Sequence, residues 1–175
     1  MSIVSASPTG VVRAVSVSHR KGEKKSNVAQ VALVEGHGIP DDAHAGAWHR
    51  QISLLAMESI AKIRAAGVDV GPGDFAENIT TEGLELWRLP LGTRLQLGSS
   101  VMLEVTQIGK ECHQRCAIFH QVGDCVMPRE GIFARVLKGG QIQAGDAVRV
   151  LTSDAGLVIA TADGATFQVT IVRSR

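Results

Sequence analysis

The 175-residue sequence lacks the features that would commit it to a membrane, a nucleic acid or the cell exterior. No apolar run approaches the roughly 20 residues that a membrane span requires. Neither sign of charge is in excess, with 18 lysines and arginines against 17 acids. No broad field therefore draws the chain to nucleic acid or to an anionic lipid surface. The opening MSIVSASPTG has no basic stretch followed by an apolar core, and so does not read as a secretory signal. Cysteine is scarce and odd in number, three in all. In a reducing cytoplasm, where the chain is expected to reside, a structural disulfide is the least favoured use of them. Low-complexity segments and internal repeats are missing too. What remains is one domain, long enough to bury a core, with neither membrane nor nucleic acid among its expected partners.

Short alternating runs are what the sequence does have. Val15 and Val17 alternate with Ser16 and Ser18, and Leu95 and Leu97 with Arg94 and Gln96. VMLEVTQI puts Val101, Leu103 and Val105 on one face, and DAVRVL does the same with Val148 and Val150. Such period-two runs, separated by glycine turns, predict half-buried strands of a mainly β domain. Two segments read as helices. SLLAMESIAKIRAAG places Leu55, Ile60 and Ile63 near helical spacing, with Ser53 as a cap and Gly67 as a stop. EGIFARVLKGG gives a second apolar face through Ile132, Phe133, Val136 and Leu137. A β-barrel with a few inserted helices fits this pattern, over residues 1–151. Residues 152–175 form an extension whose two strand-like runs flank Asp163-Gly164, a hairpin that must dock on the barrel or on a second subunit as a homodimer.

The candidate chemistry lies in four places. GIPDDAHAGAWHRQISLL carries His44, His49 and Arg50 on a loop that leads into the first helix, a setting that suits an oxyanion; a plain polar loop, with Asp42 capping a turn, is the alternative. GDFAENITTEGL contains Asn78, whose amide can bond a heterocycle or satisfy a buried turn. Arg129 stands ahead of the second expected helix, again an anion-friendly position or an unpartnered surface arginine. GKECHQRC holds Cys112 and Cys116, with His113 between them and His120 and Cys125 beyond. These residues allow a zinc clip, a disulfide or one working thiol. Lys110, His113, Arg115 and Arg129 offer the positive charge that favours a thiolate. Cys125, in the apolar stretch CVM, suits a small buried hydrophobe.

Taken in order, GIPDDAHAGAWHRQISLL, GDFAENITTEGL, LGTRLQLGSSVMLEVTQIGKECHQRC and PREGIFARVLKGGQIQAGDAVRV resemble the MOSC domain, from about Val11 to Leu151. This is the domain found at the C-terminus of molybdenum cofactor sulfurases and in stand-alone bacterial proteins. The resemblance implies a barrel like that of the pyruvate kinase barrel domain, and an anion-lined cavity for the molybdopterin form of the molybdenum cofactor. It also implies one cysteine whose sulfur meets the molybdenum, and Cys112 occupies that place, following the strand VMLEVTQIGK. His44, His49, Arg50, Lys110 and Arg129 would then hold the cofactor's anionic end, and Asn78 its pterin. Two positions depart from the family pattern: Asp41 stands where a glycine is usual, and Glu111 where a proline often precedes the cysteine.

Three functions follow from that resemblance. The first is a small molybdenum-dependent reductase of N-hydroxylated compounds, or a component of one, with Cys112 as metal thiolate. The second is a carrier of sulfur, as a Cys112 persulfide, or of the cofactor, for a molybdoenzyme client. The third is a barrel that is metal-free or stabilised by zinc. Pyridoxal phosphate is not expected in this chain, so any cysteine desulfurase or electron donor would be a separate protein.

Overall fold

The computed structural model describes residues 7–112 and 117–151, together with the backbone of two short strands, 158–160 and 166–168. Seven strands close a barrel: β1 (Thr9–Val17), β4 (Ile52–Ala56), β5 (Ile79–Glu82), β6 (Arg94–Leu97), β7 (Val101–Ile108), β8 (Ile132–Lys138) and β10 (Ala147–Leu151). Around the ring the order is β10-β6-β7-β8-β4-β5-β1, and Thr9–Val11 pairs with Ala147–Arg149 to close it. Closure leaves the barrel strands without a free edge. The second half of β1 instead carries β2 (Ser26–Val28), and β3 (Gln30–Leu33) pairs separately with β9 (Gly140–Gln143). Strands β11 (Val158–Ala160) and β12 (Thr166–Gln168) pair antiparallel, as the hairpin reading expects; their Asp163-Gly164 turn lies outside the described residues.

The alternation seen in the sequence is the inside–outside alternation of the barrel. Leu95, Leu97, Val101, Leu103, Val105, Val148 and Val150 all point into one core, while Arg94 and Arg149 face water. Strand β4 and the start of β8 are different, because both of their faces are covered. Ile52 and Leu54 face the barrel core and Leu55 faces a second apolar cluster; Ile132, Ala134 and Val136 face inward while Phe133 faces outward. Helix α1 (Met57–Ala65) supplies Ile60 and Ile63 to that second cluster, and α2 (Ala117–Val122) and α3 (Met127–Glu130) add Ile118 and Met127.

This two-sided burial corrects two expectations. The segment Ile132–Lys138, expected as a helix, is strand β8, since a strand buried on both faces reads as a continuous apolar run and loses its period-two signature. The first helix starts three residues later than expected. Ser53 is not its cap but lies within β4, and the capping position is Ala56, with no side-chain bond. The far end is as expected, with Lys62 and Arg64 in the last turn and Gly67 in the left-handed region at φ +92°. Strands β4 and β5 run parallel, and α1 is the crossover that a parallel pair needs. Among the described residues no helix is long and apolar enough to cross a membrane.

Candidate functional site

The loop 38–50, between β3 and β4, is held from below by a buried ion pair. Asp42 accepts hydrogen bonds from the Lys25 ammonium (2.8 and 3.0 Å), from the Ser18 backbone (3.0 Å) and from the His44 backbone (2.9 Å). Both side chains are out of water, at 0% and 1% exposure for Lys25 and Asp42. Burial alone would raise the Asp42 carboxyl, but the His44 ring, the Lys25 ammonium and the two backbone N–H groups outweigh it and hold the group well below the usual carboxylate range. Burial pushes the Lys25 ammonium below its ordinary value; the Asp42 carboxylate works against that and the Lys110 charge adds to it. Asp42 thus caps a turn, as the plain reading of this loop has it, and also anchors the loop to the β1–β2 connection.

Its neighbour Asp41 sits in the left-handed region at φ 65°, a conformation that costs a residue with a Cβ. This is the physical content of the glycine usual at that position. Asp41→Gly is therefore expected to leave stability unchanged or raise it by up to about 1 kcal/mol, as relief of strain meets the added chain entropy. Thermal denaturation at neutral pH checks this; a clear loss would mean that the aspartate side chain contributes to the loop.

Above that anchor, the polar side chains of the loop converge on Trp48. The indole N–H of Trp48 donates to the His44 carbonyl at 2.7 Å, and its ring meets His49 edge-on at 5.9 Å. The Arg50 guanidinium lies 4.7 Å from the Trp48 ring centroid and 5.5 Å from that of Phe133, clasped by two aromatic side chains. Its Nε is buried without a hydrogen-bond partner, and among the described residues no carboxylate pairs with it. The His44 Nδ1 is likewise buried without a hydrogen bond, 3.5 Å from the nearer Asp42 oxygen. Of the two, Arg50 is the cation without a carboxylate among the described residues, and a guanidinium so placed is suited to take an anion.

The thiol-bearing segment is tied to the same loop. His49 Nε2 is 2.9 Å from Gln107 Oε1 at the end of β7, and Thr106 Oγ1 donates to the His49 carbonyl. Gln107 in turn donates to the Gly109 carbonyl at 2.8 Å, and the Gly109 N–H to the Gly131 carbonyl at 2.6 Å. Gly109 has φ +69°, and a Cβ there would stand 2.1 Å from the Pro128 carbonyl oxygen. Only glycine lets the chain turn this close to α3. Lys110 follows, half-buried and with no ion-pair partner among the described residues, and then Cys112, exposed and free. Cys125 is buried in the second cluster, where it acts as a small apolar side chain. His113, Arg115 and Cys116 lie outside the described residues, so the zinc and resolving-thiol readings rest partly there. Among the described residues no three His, Cys, Asp or Glu side chains gather to hold a metal ion.

Two other expected site residues already have partners: Asn78 in the barrel wall, and Arg129, which stands beside Gly109 with an exposed ion pair. Asn78 is completely buried in the barrel wall: its Oδ1 accepts from the Ser53 N–H (3.1 Å) and hydroxyl (3.0 Å), and its Nδ2 donates to the Ser16 carbonyl (3.2 Å). The amide stitches β4 to β1 and presents no surface to a ligand. Arg129 does not precede a helix but sits inside α3, and its guanidinium is spent on a bidentate pair with Asp124 at 2.7 and 2.8 Å. That pairing holds the Asp124 carboxyl down at about 2. His44, His49, Arg50, Lys110 and Cys112 remain available, and Arg129 is held only by an exposed ion pair.

The MOSC domain model matches residues 41–149, a span that begins at the strained Asp41 and contains every one of these residues. The chain belongs to the MOSC domain family. Solved structures agree on the fold. The YuaD protein of Bacillus subtilis superposes with a TM-score of 0.69 at 21% identity, over 81% of this chain and 95% of that one. YiiM from Geobacillus stearothermophilus gives 0.62 at 23% identity, over 85% and 78%. YiiM from Escherichia coli gives 0.55 at 18% identity, over 84% and 70%. No functionally curated protein matches the sequence. MOSC domains are associated with binding of the molybdenum cofactor, and the donor set here fits that group. A guanidinium without a carboxylate partner among the described residues suits its phosphate, and a free exposed thiol suits its metal. Sequence reasoning missed Trp48, Lys25 and Gln107. The run of basic residues from His19 to Lys25 was the available signal for the second of these.

Proposed function

We propose that this MOSC protein binds the molybdenum cofactor in its molybdopterin form and works as a small reductase of N-hydroxylated compounds, alone or as a component. The observation that carries the proposal is Arg50, a guanidinium clasped between Trp48 and Phe133 with its Nε buried and unpaired. Arg50 would bind the cofactor's phosphate, with the His44 ring as a second donor and His49 at the rim. Lys110 would add charge between the phosphate and the thiol, and Cys112 would ligate the metal through its thiolate. When bound, the cofactor supplies two-electron reduction of the N–O bond, which with two protons yields an amine and water; the electrons come from a separate donor protein. The aromatic clasp keeps Arg50 from turning toward solvent, so the donor is set before the anion arrives.

The exposure of Cys112 favours a second reading. A thiol open to solvent can meet a partner protein, as a persulfide carrier that receives sulfur from a separate desulfurase must do. The two readings part in one experiment. Cys112→Ser should abolish reduction of an N-hydroxylated amidine by cofactor-loaded protein supplied with an artificial electron donor. Full activity in that variant contradicts the reductase reading. A reductant-sensitive mass gain of one sulfur atom on Cys112, with no reduction by wild type, establishes the carrier instead.

A further inference from the structure

Arg50 is not the only cation on Trp48. The Lys21 ammonium, on the β1–β2 connection, lies 5.2 Å from the same ring centroid. Both charges are thus held on one indole, within about one Debye length at 0.1 M salt (~10 Å). The other lysines and arginines of the β1–β2 connection are paired: Lys25 with Asp42, Lys24 with Asp74 at 3.1 Å, and Arg20 with Glu23 at 3.9 Å. Lys21 and Arg50 have no carboxylate among the described residues. Two unpaired like charges repel at this range, and the negative face of the ring offsets only part of that.

The placement of Lys21 follows from the fold. The connection that bears it is pinned at both ends to the cofactor loop and its surroundings. Ala43 donates to the Ser18 carbonyl at 2.8 Å, and Ser18 to Asp42; at the other end Lys25 pairs with Asp42 and its N–H donates to the Gly73 carbonyl at 2.9 Å. His19 Nδ1 lies 3.2 Å from the Asp41 carbonyl oxygen. With its ends fixed, the tip of the connection has only a short arc to travel, and it ends over Trp48. This connection lies ahead of residues 41–149, the span that the family model matches.

We infer that Lys21 is a second anion-binding residue of this site, so that the site takes a ligand with two linked anionic groups, one at Arg50 and one at Lys21. The inference rests on reading Arg50 as an anion receptor. Trp48 is the shared platform and would report on occupancy, since drawing a cation toward an anion changes its hold on the ring.

The test uses the full chain in a Trp87→Phe background, which leaves Trp48 as the one remaining indole of the two. Emission and calorimetry follow titration with inorganic pyrophosphate and, separately, orthophosphate. The expected result is a preference for pyrophosphate of roughly tenfold, reduced severalfold by Lys21→Ala, with orthophosphate affinity little changed. Lys138→Ala, an exposed lysine at the opposite end of β8, should leave the preference intact. A preference that survives Lys21→Ala, or is absent from wild type while Arg50→Met still weakens orthophosphate, overturns this inference alone. Binding of both anions that Arg50→Met leaves untouched overturns the anion site itself.

Discussion

Replacing Asp42 with alanine is expected to destabilise the protein by about 3–5 kcal/mol, the usual cost of leaving one member of a buried ion pair alone. The change strands the Lys25 ammonium at 0% exposure and orphans the Ser18 and His44 N–H groups that Asp42 satisfies. Against a typical total stability of about 5–15 kcal/mol, that is a large fraction, and Tm should fall by on the order of 10 °C. A double change of Lys25→Met with Asp42→Leu should recover most of the loss, because it removes both charges together. The pH dependence has a definite sign. The folded-state carboxyl is held below its unfolded value of about 3.9, so its stabilisation is complete above that pH and is lost as pH falls further. Asp42→Asn should therefore flatten the acid limb of the stability curve below about pH 4. Denaturant titrations of the alanine variant at pH 7 decide the matter. A cost under about 1 kcal/mol would mean the pair is solvated and not the anchor described.

Arg50→Met is expected to separate binding from stability. The methionine chain can fill the space between Trp48 and Phe133 and carries no unpaired Nε, so Tm should stay level or rise. Affinity for orthophosphate should nevertheless fall by about 2–3 kcal/mol, or roughly 30- to 160-fold, with loss of the charge-assisted bonds that only the guanidinium makes. A site retained for function at the expense of a buried, unpaired guanidinium Nε behaves in this way. Loss of stability without loss of anion affinity would instead make Arg50 a packing residue.

How far the sequence alone reached can be traced through particular elements. Strands β6, β7 and β10 were legible because one face meets the core and the other meets water, which writes itself as period two. Strand β8 was not, because α1 and α3 cover its outer face through Phe133 and erase the alternation. The site divides along the same line. His44, His49, Arg50 and Cys112 stand on loops that the chain's local pattern already marks as polar and irregular, and the fold leaves them available. Asn78 has the right chemistry, but long-range partners, Ser53 and Ser16, consume its amide, while Arg129 is engaged only by Asp124, five residues away, in an exposed pair. Nothing local distinguishes a spent donor from a free one. The Lys25–Asp42 pair and the contact of Lys21 with Trp48 span 17 and 27 positions, and only the fold supplies those.

The central claim is that Cys112 and Arg50 hold the two ends of one cofactor. The most direct measurement is molybdenum and pterin content after anaerobic purification from a host that makes the cofactor, with wild type and Cys112→Ser side by side. Near-stoichiometric metal and pterin in wild type are expected, with the metal lost from the variant and the pterin retained through its phosphate. Equal metal in both proteins, or zinc as the sole metal in wild type, would contradict the account.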